Sequence, residues 1–224
     1  DGLITDLIKC VEQDDEGFVW IGTDEGLFRY DGVSFTGYAG ATSSRFIKDF
    51  LVTSDNRLLV VHDLGLDEII ASEDTVFFEN VISGSQRKND GQLWYPKLAF
   101  EDNYQNLWIA EPQSIVLLKD NEFKRFDFEV EDNSASFVRS FHFVQLSSDS
   151  LLISSYTGNY YIYHYDTENI SKLNSSNISD QAYLLRKIDD NIYVGGGRDL
   201  YEFTITDNGV QLVPFDVGAI VTDL

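Results

Sequence analysis

The feature that most constrains this chain is a period. The stretch DDEGFVWIGTDEGLFRYDGVSFTGYAG, residues 14 to 40, is echoed by residues 54 to 80, 101 to 128, 147 to 173 and 188 to 215. Aligning the strand centres puts Trp20, Val60, Trp108, Leu152 and Tyr193 in equivalent places, at intervals of 40, 48, 44 and 41 residues. Self-similarity at such a spacing is the signature of a repeat architecture, and it sets the fold before any single residue is weighed.

Each unit has one internal grammar. In the first, LIKCVEQ meets the turn DDEG, FVWIGT meets DEG, and LFRYD turns at DG into SFTGY. Asp-Gly and Asp-Glu-Gly between β-branched and aromatic runs are hairpin signals, because glycine accepts positive φ and Asp bonds its own backbone. Four short antiparallel strands per period of this length describe one blade of a β-propeller. The expectation is an all-β chain of four-stranded antiparallel blades, with approximate repeats 4–40, 43–83, 91–132, 134–177 and 180–218, and residues 219–224 starting a sixth. Either five blades close on themselves, or the chain is part of a seven- or eight-bladed ring. Open sheet edges invite aggregation, which favours the larger ring.

Composition narrows the partners. Sixteen basic against thirty-eight acidic residues give a net charge of −22, which repels phosphate backbones and anionic lipid and so argues against nucleic acid or membrane contact. The single Cys10 sits in an apolar stretch, reads as a buried thiol and cannot form an internal disulfide. No run approaches the roughly 18 apolar residues of a membrane span. The chain begins at Asp1 and has no methionine, so it is expected to be a piece of something longer.

The opening stretch, with EDNYQNLWIAE and DDNIYVGGGRDLYEF, resembles the regulator-propeller repeat, whose consensus runs Asp, any, any, Gly-Asn, apolar, Trp-Ile-Gly-Thr, then Gly-Leu and an aromatic-Arg-Tyr-Asp-Gly ending. The likeness is strong over residues 3 to 35, fair over 101 to 118 and 189 to 203, and faint in the second and fourth units, where RLLVVHD and LLISSYTG lack the indole. That family forms the periplasmic sensing region of hybrid two-component histidine kinases and related membrane-anchored signalling proteins. The resemblance implies a non-enzymatic periplasmic sensor, part of an inner-membrane protein, that binds a small molecule or an oligosaccharide. It also implies further propeller and immunoglobulin-like domains in the same chain, and allows a homodimer. The alternative from a different class is a propeller glycoside hydrolase or lyase acting on glycans.

No catalytic residue, metal ligand or cofactor is assigned. His62, His142 and His164 show no metal-binding spacing, and Gly195 to Gly197 lead into no helix that would cradle phosphate, so they read as a bulge or a close approach. Trp20 and Trp108 read as packing between blades, with Trp94 the better candidate for an exposed aromatic. The sequons at Asn169, Asn174 and Asn177 read as a polar loop. A ligand is expected where loops converge over a rigid scaffold, on the face that gathers the turns between second and third strands. Those turns contain Asp24, Glu25, His62, Asp63, Glu111, Gln113, Tyr156, Asn159, Arg198 and Asp199, of which Asp24, His62, Asp63, Glu111, Tyr156, Asn159 and Arg198 are the ligand candidates.

Overall fold

The computed structural model describes residues 2–3, 5, 7–72, 75–120, 122–128, 141–174, 184–206 and 209–221, with backbone alone at 196–199 and 215–221. The chain divides into two units, Asp1–Ser134 and Ala135–Leu224. The described residues contain no helix.

In the first unit, β1 (Ile8–Gln13), β2 (Val19–Thr23), β3 (Leu27–Tyr30) and β4 (Phe35–Gly37) form one antiparallel sheet in chain order. The second sheet runs β5 (Ile47–Val52), β6 (Leu58–His62), β7 (Gly65–Ala71) and β8 (Val76–Ser85), with the short β9 (Leu93–Trp94) added in parallel to β8. The third is β10 (Leu98–Glu101), β11 (Leu107–Ala110), β12 (Ser114–Lys119) and β13 (Glu122–Asp127). The first-unit strands fall where the turn signals put them.

The consecutive apolar residues of the second strands are explained by packing on both faces. Every residue of β6 is buried. Leu58 and Val60 join Trp20, Leu27 and Ile47 in one core, whereas Leu59 and Val61 join Ile109, Val116 and Leu93 in the next. Successive strand side chains point to opposite faces, so a sheet covered on both sides needs apolar residues at every position.

The register corrects the sequence alignment at one point. Gln13 pairs with Val19, Val52 with Leu58 and Glu101 with Leu107, so the residue equivalent to Trp20 and Trp108 is Leu59, not Val60. The apolar run LLVV offers no mark of phase, and a slip of one residue turns a side chain to the opposite core. The turn that precedes these residues shows why the motif opens on Asp. Asp14 Oδ1 accepts from Phe18 N at 2.8 Å while Oδ2 accepts from Trp20 Nε1 at 2.8 Å. Asp102 does the same for Asn106 N at 3.0 Å and Trp108 Nε1 at 2.8 Å. One carboxylate thus closes the hairpin and satisfies the indole of a tryptophan with no exposed surface. In the second sheet, where leucine replaces the indole, Thr53 stands in the Asp position and its hydroxyl oxygen accepts from Arg57 N at 2.9 Å.

Gly22 of the Trp-Ile-Gly-Thr run is fixed by the neighbouring sheet. A Cβ there would lie 2.5 Å from both Cys10 Sγ and Ile47 Cγ2. Gly22→Ala is therefore expected to cost about 1–3 kcal/mol through overpacking. The readout is a lower urea midpoint at unchanged slope. Burial, reinforced by the charge of Asp49, pushes the Cys10 thiol well above its ordinary pKa, which keeps it unreactive.

In the second unit, β14 (Phe141–Ser147), β15 (Ser150–Ser155), β16 (Tyr160–His164) and β17 (Asn169–Lys172) form a four-stranded antiparallel sheet. The sequon at Asn169 thus lies in a strand rather than a polar loop, because β17 pairs with β16 along His164 to Tyr161. The last sheet has three strands, β18 (Leu184–Ile188), β19 (Asn191–Thr206) and β20 (Gly209–Val221). Residues 219 to 221 continue β20 there. Val144, Leu152 and Tyr160 pack against Leu185, Val194 and Phe203, with the Tyr160 and Phe203 rings 5.0 Å apart.

Candidate functional site

In the first unit the turns between second and third strands close in the same way. Thr23 N donates to Gly26 O at 3.0 Å, Glu111 N to Ser114 O at 2.9 Å, and His62 pairs with Gly65. Asp24, Asp63 and Pro112 are therefore equivalent. Across from them, register slips in the inner strands fall at Lys9 and Lys48. Lys97, whose N–H donates to Ala110 O at 2.8 Å, occupies the same place ahead of β10. A lysine thus stands beside each turn. Lys9 Nζ lies 3.3 Å from Asp24 Oδ2, and Lys48 Nζ 3.1 Å from Asp63 Oδ1. In the third sheet the acid is replaced by Pro112, and Lys97 makes no ion pair among the described residues.

Lys97 instead extends over the Tyr95 ring, 4.5 Å from its centroid, and Lys48 lies 5.6 Å from that of Phe46. Burial, with the charge of Lys48, brings the Lys97 ammonium down to about 8, and Asp63 offsets only part of this. Burial first, then the charge and hydrogen bond of Asp63, hold the Tyr95 phenol above its ordinary value. Asp63 is 2% exposed and is partnered by Lys48, whose Nζ lies 3.1 Å from its Oδ1, and by Tyr95. Tyr95 has φ 50° directly before Pro96 and is held there by its N–H, which donates to Ser85 O at 3.1 Å. A bulky residue in the left-handed region stores strain of a kind that collects at binding sites. Lys48, Asp63, Tyr95 and Lys97 therefore form one electropositive cluster at the turn end of the second and third sheets.

The remaining candidates are held in local networks. His62, fully buried, receives the Leu64 N–H on Nδ1 at 3.2 Å, which leaves the ring proton on Nε2 facing Asp67 Oδ2 at 2.9 Å. Asn80 Nδ2 donates to Asp67 Oδ1 at 2.7 Å. Burial pushes the Asp67 carboxyl up, but the hydrogen bonds from His62 and Asn80 outweigh it and leave the group below its ordinary value. The triad braces the turn that carries Asp63. Glu111, also with no exposed surface, takes a bidentate bond from Arg125, Nε to Oε2 at 2.8 Å and a terminal nitrogen to Oε1 at 2.9 Å. It further accepts from Ser114 Oγ and from Trp94 N, the latter at 2.6 Å. Glu111 is thus a clamp that fixes the linker before β10, and Trp94, half-buried on that linker, lies 5.8 Å below Lys88. The exposed pair of Arg45 with Glu25 at 3.2 Å is worth little.

In the second unit Tyr156 is 2% exposed, and Asn159 Nδ2 donates to Thr157 Oγ1 at 2.8 Å within its own turn. The turn expected at Arg198 and Asp199 is not formed: β19 runs through them, pairing first with β18 and then with β20, with a register slip between Gly197 and Asp199. The slip falls at Arg198, just past the three glycines. The Arg198 side chain lies outside the described residues.

The first unit also has a cleft of about 890 Å³ between the second and third sheets at their opposite end, lined by Thr53, Arg57, Val81, Gln105, Leu118 and Phe123. Arg57 is held there by Glu68, Nε to Oε2 at 3.0 Å.

Four-stranded antiparallel sheets joined in chain order make this a β-propeller chain. The family model of the two-component regulator propeller matches residues 2–25, the opening of the first sheet. Among solved structures, the chain is similar to the extracellular domain of the hybrid two-component system BT3049 from B. thetaiotaomicron, at 16% identity and TM-score 0.72, covering 94% of this chain and 30% of that one. It is similar to the extracellular domain of BT4673 from the same organism, at 15% identity and TM-score 0.52, over all of this chain and 35% of that one. Virginiamycin B lyase from Staphylococcus aureus matches at 15% identity and TM-score 0.63, over 95% of this chain and 70% of the enzyme. The chain thus spans about a third of the length of these two extracellular domains. No curated protein matches it by sequence.

Proposed function

We propose that this chain is a non-enzymatic sensing propeller, carried outside the cytoplasm by a longer inner-membrane signalling protein, that binds a small ligand or oligosaccharide through its turn face. The observation that carries the reading is the regulator-propeller repeat at residues 2–25 on a fold shared with extracellular domains of two-component systems. Adjacent propeller and immunoglobulin-like domains, and a second copy of the chain, are proposed as partners on the same ground.

The likeness to virginiamycin B lyase motivates a second reading, a propeller lyase or hydrolase acting on glycans. The hydrolase form of this reading needs carboxylates that face each other across a cleft. In the first unit the turn acids are otherwise engaged: Asp24 with Lys9, Asp63 with Lys48 and Glu111 with Arg125. The two readings separate when the chain is heated with glycan and oligosaccharide mixtures. A sensor's melting temperature rises with the logarithm of ligand excess, and the glycan is returned intact. New reducing ends or unsaturated products would establish the enzyme instead.

A further inference from the structure

The cleft between the second and third sheets has a counterpart between the first and second. Val52, Leu58, Ile69 and Ala71 line a gap of about 190 Å³ there. By the strand register the matching residues one sheet on are Glu101, Leu107, Leu118 and Asp120, and all four line the cleft of about 890 Å³. The two spaces differ first in what fills them. The first sheet turns Phe18, Trp20 and Arg29 towards the second, with the guanidinium 4.2 Å over the Phe18 ring and the Trp20 ring 5.3 Å from that of Tyr38. In the second sheet Arg57, Leu59 and Glu68 take those three places, and an ion pair, Nη2 to Oε2 at 2.7 Å, stands where the rings would be. The walls left on the two sides are Val81 and Ile82 against Leu107, Leu118 and Phe123. They differ also in charge. Glu101 replaces Val52 and Asp120 replaces Ala71, with Asp55 beside them, whereas Arg57, the only basic group among the described residues that line the cleft, is held by Glu68. Glu101 Oε2 accepts from Ser54 N at 2.6 Å, which leaves Oε1 without a partner among the described residues, as are both oxygens of Asp120.

We propose that this cleft binds a small organic cation, an amine carried on an aromatic or branched aliphatic body, with the body between Val81 and Phe123 and the ammonium against Glu101 and Asp120. The site is separate from the turn face and goes beyond the sensing of a glycan. The volume of the cleft lies in the range of small-molecule sites, roughly 300–1,000 Å³. The apolar body takes the place of the rings that the second sheet lacks and removes the facing walls from water. The ammonium answers carboxylates that the smaller gap does not have. A sugar would set its hydroxyls against Val81, Leu118 and Phe123 without partners, so the walls select against it. An anion of the same shape is repelled, and a bare amine has nothing to place between the walls.

The test is calorimetric titration of the chain with tryptamine, phenethylamine, tryptophol, indole-3-acetate and methylamine at low ionic strength, where pairs at an open mouth are least screened. Tryptamine is expected to bind about tenfold more tightly than tryptophol, its neutral counterpart, the worth of two partly exposed ion pairs. Indole-3-acetate and methylamine should bind more weakly still. Glu101→Gln combined with Asp120→Asn should remove the advantage of tryptamine and leave the affinity for tryptophol unchanged. Val81→Trp, which refills the cleft, should abolish binding of both indoles. Melting temperatures show that the variants fold, and if Val81→Trp does not, the near-isosteric carboxylate variant decides alone. Tryptophol or indole-3-acetate binding as tightly as tryptamine, tryptamine affinity unchanged in the carboxylate variant, or no binding of either arylalkylamine would overturn the inference. Methylamine binding as tightly as tryptamine would overturn it too, because the walls would then contribute nothing. None of these outcomes bears on the turn face, which the glycan panel tests.

Discussion

Glu111→Ala is expected to destabilise the first unit by about 3–5 kcal/mol, the range for breaking a buried ion pair from one side. The substitution strips Arg125 of its bidentate partner and leaves Ser114 Oγ and Trp94 N without their acceptor. Arg125 would keep only the Asn89 and Gln92 carbonyls. A Glu111→Met, Arg125→Met double variant should recover much of the loss, because no uncompensated charge then remains buried. Urea unfolding of the three variants reads both effects. A loss below about 1 kcal/mol for Glu111→Ala, the level of an exposed pair, would show that the clamp is not what holds the linker. Since the linker carries Tyr95 and Lys97, ligand affinity should fall in the single variant even where the fold survives.

Asp102→Ala should cost about 2–3 kcal/mol, the penalty for leaving a buried donor unsatisfied together with the lost turn bonds. Trp108 is fully buried, and Asp102 Oδ2 is the partner of its indole N–H. The diagnostic experiment is a double-mutant cycle of Asp102→Ala with Trp108→Phe, in which removal of the indole N–H makes the Asp102 loss smaller. Coupling of about 1 kcal/mol or more is expected for groups in one hydrogen-bond network. Additive losses would mean that the Asp serves only the hairpin. The second sheet has already made the paired change, with Thr53 and Leu59 in the two positions.

The fold was legible because turns and periodicity are local. Asp-Gly and Asp-Glu-Gly mark hairpins wherever they fall, and the strands of the first sheet sit at the positions they predict. Phase within an apolar run is not local, and LLVV could not reveal that Leu59 rather than Val60 takes the tryptophan position. The fifth unit misled for a similar reason, since three glycines signal permissiveness without saying whether the chain turns or slips register. The candidate site was legible only in part. Asp63 was named because it lies in a turn. Lys48 and Lys97 were not named, although lysine stands at the start of the inner strand in IKC, IKD and PKL alike. That pattern becomes visible once the register aligns the three bulge positions. Glu111 was named as a ligand candidate because it is a turn acid, and sequence does not show the Arg125 that reaches it from β13.

The central claim is that ligand engages the turn end of the first unit rather than the cleft at the opposite end. Hydrogen exchange, resolved by peptide and compared with and without the glycan that most raises the melting temperature, tests it directly. The account predicts slowed exchange at residues 63 to 65 and 94 to 98. Slowed exchange at residues 53 to 57 and 104 to 107 instead, with 63 to 65 unchanged, would contradict it and move the binding site to the cleft.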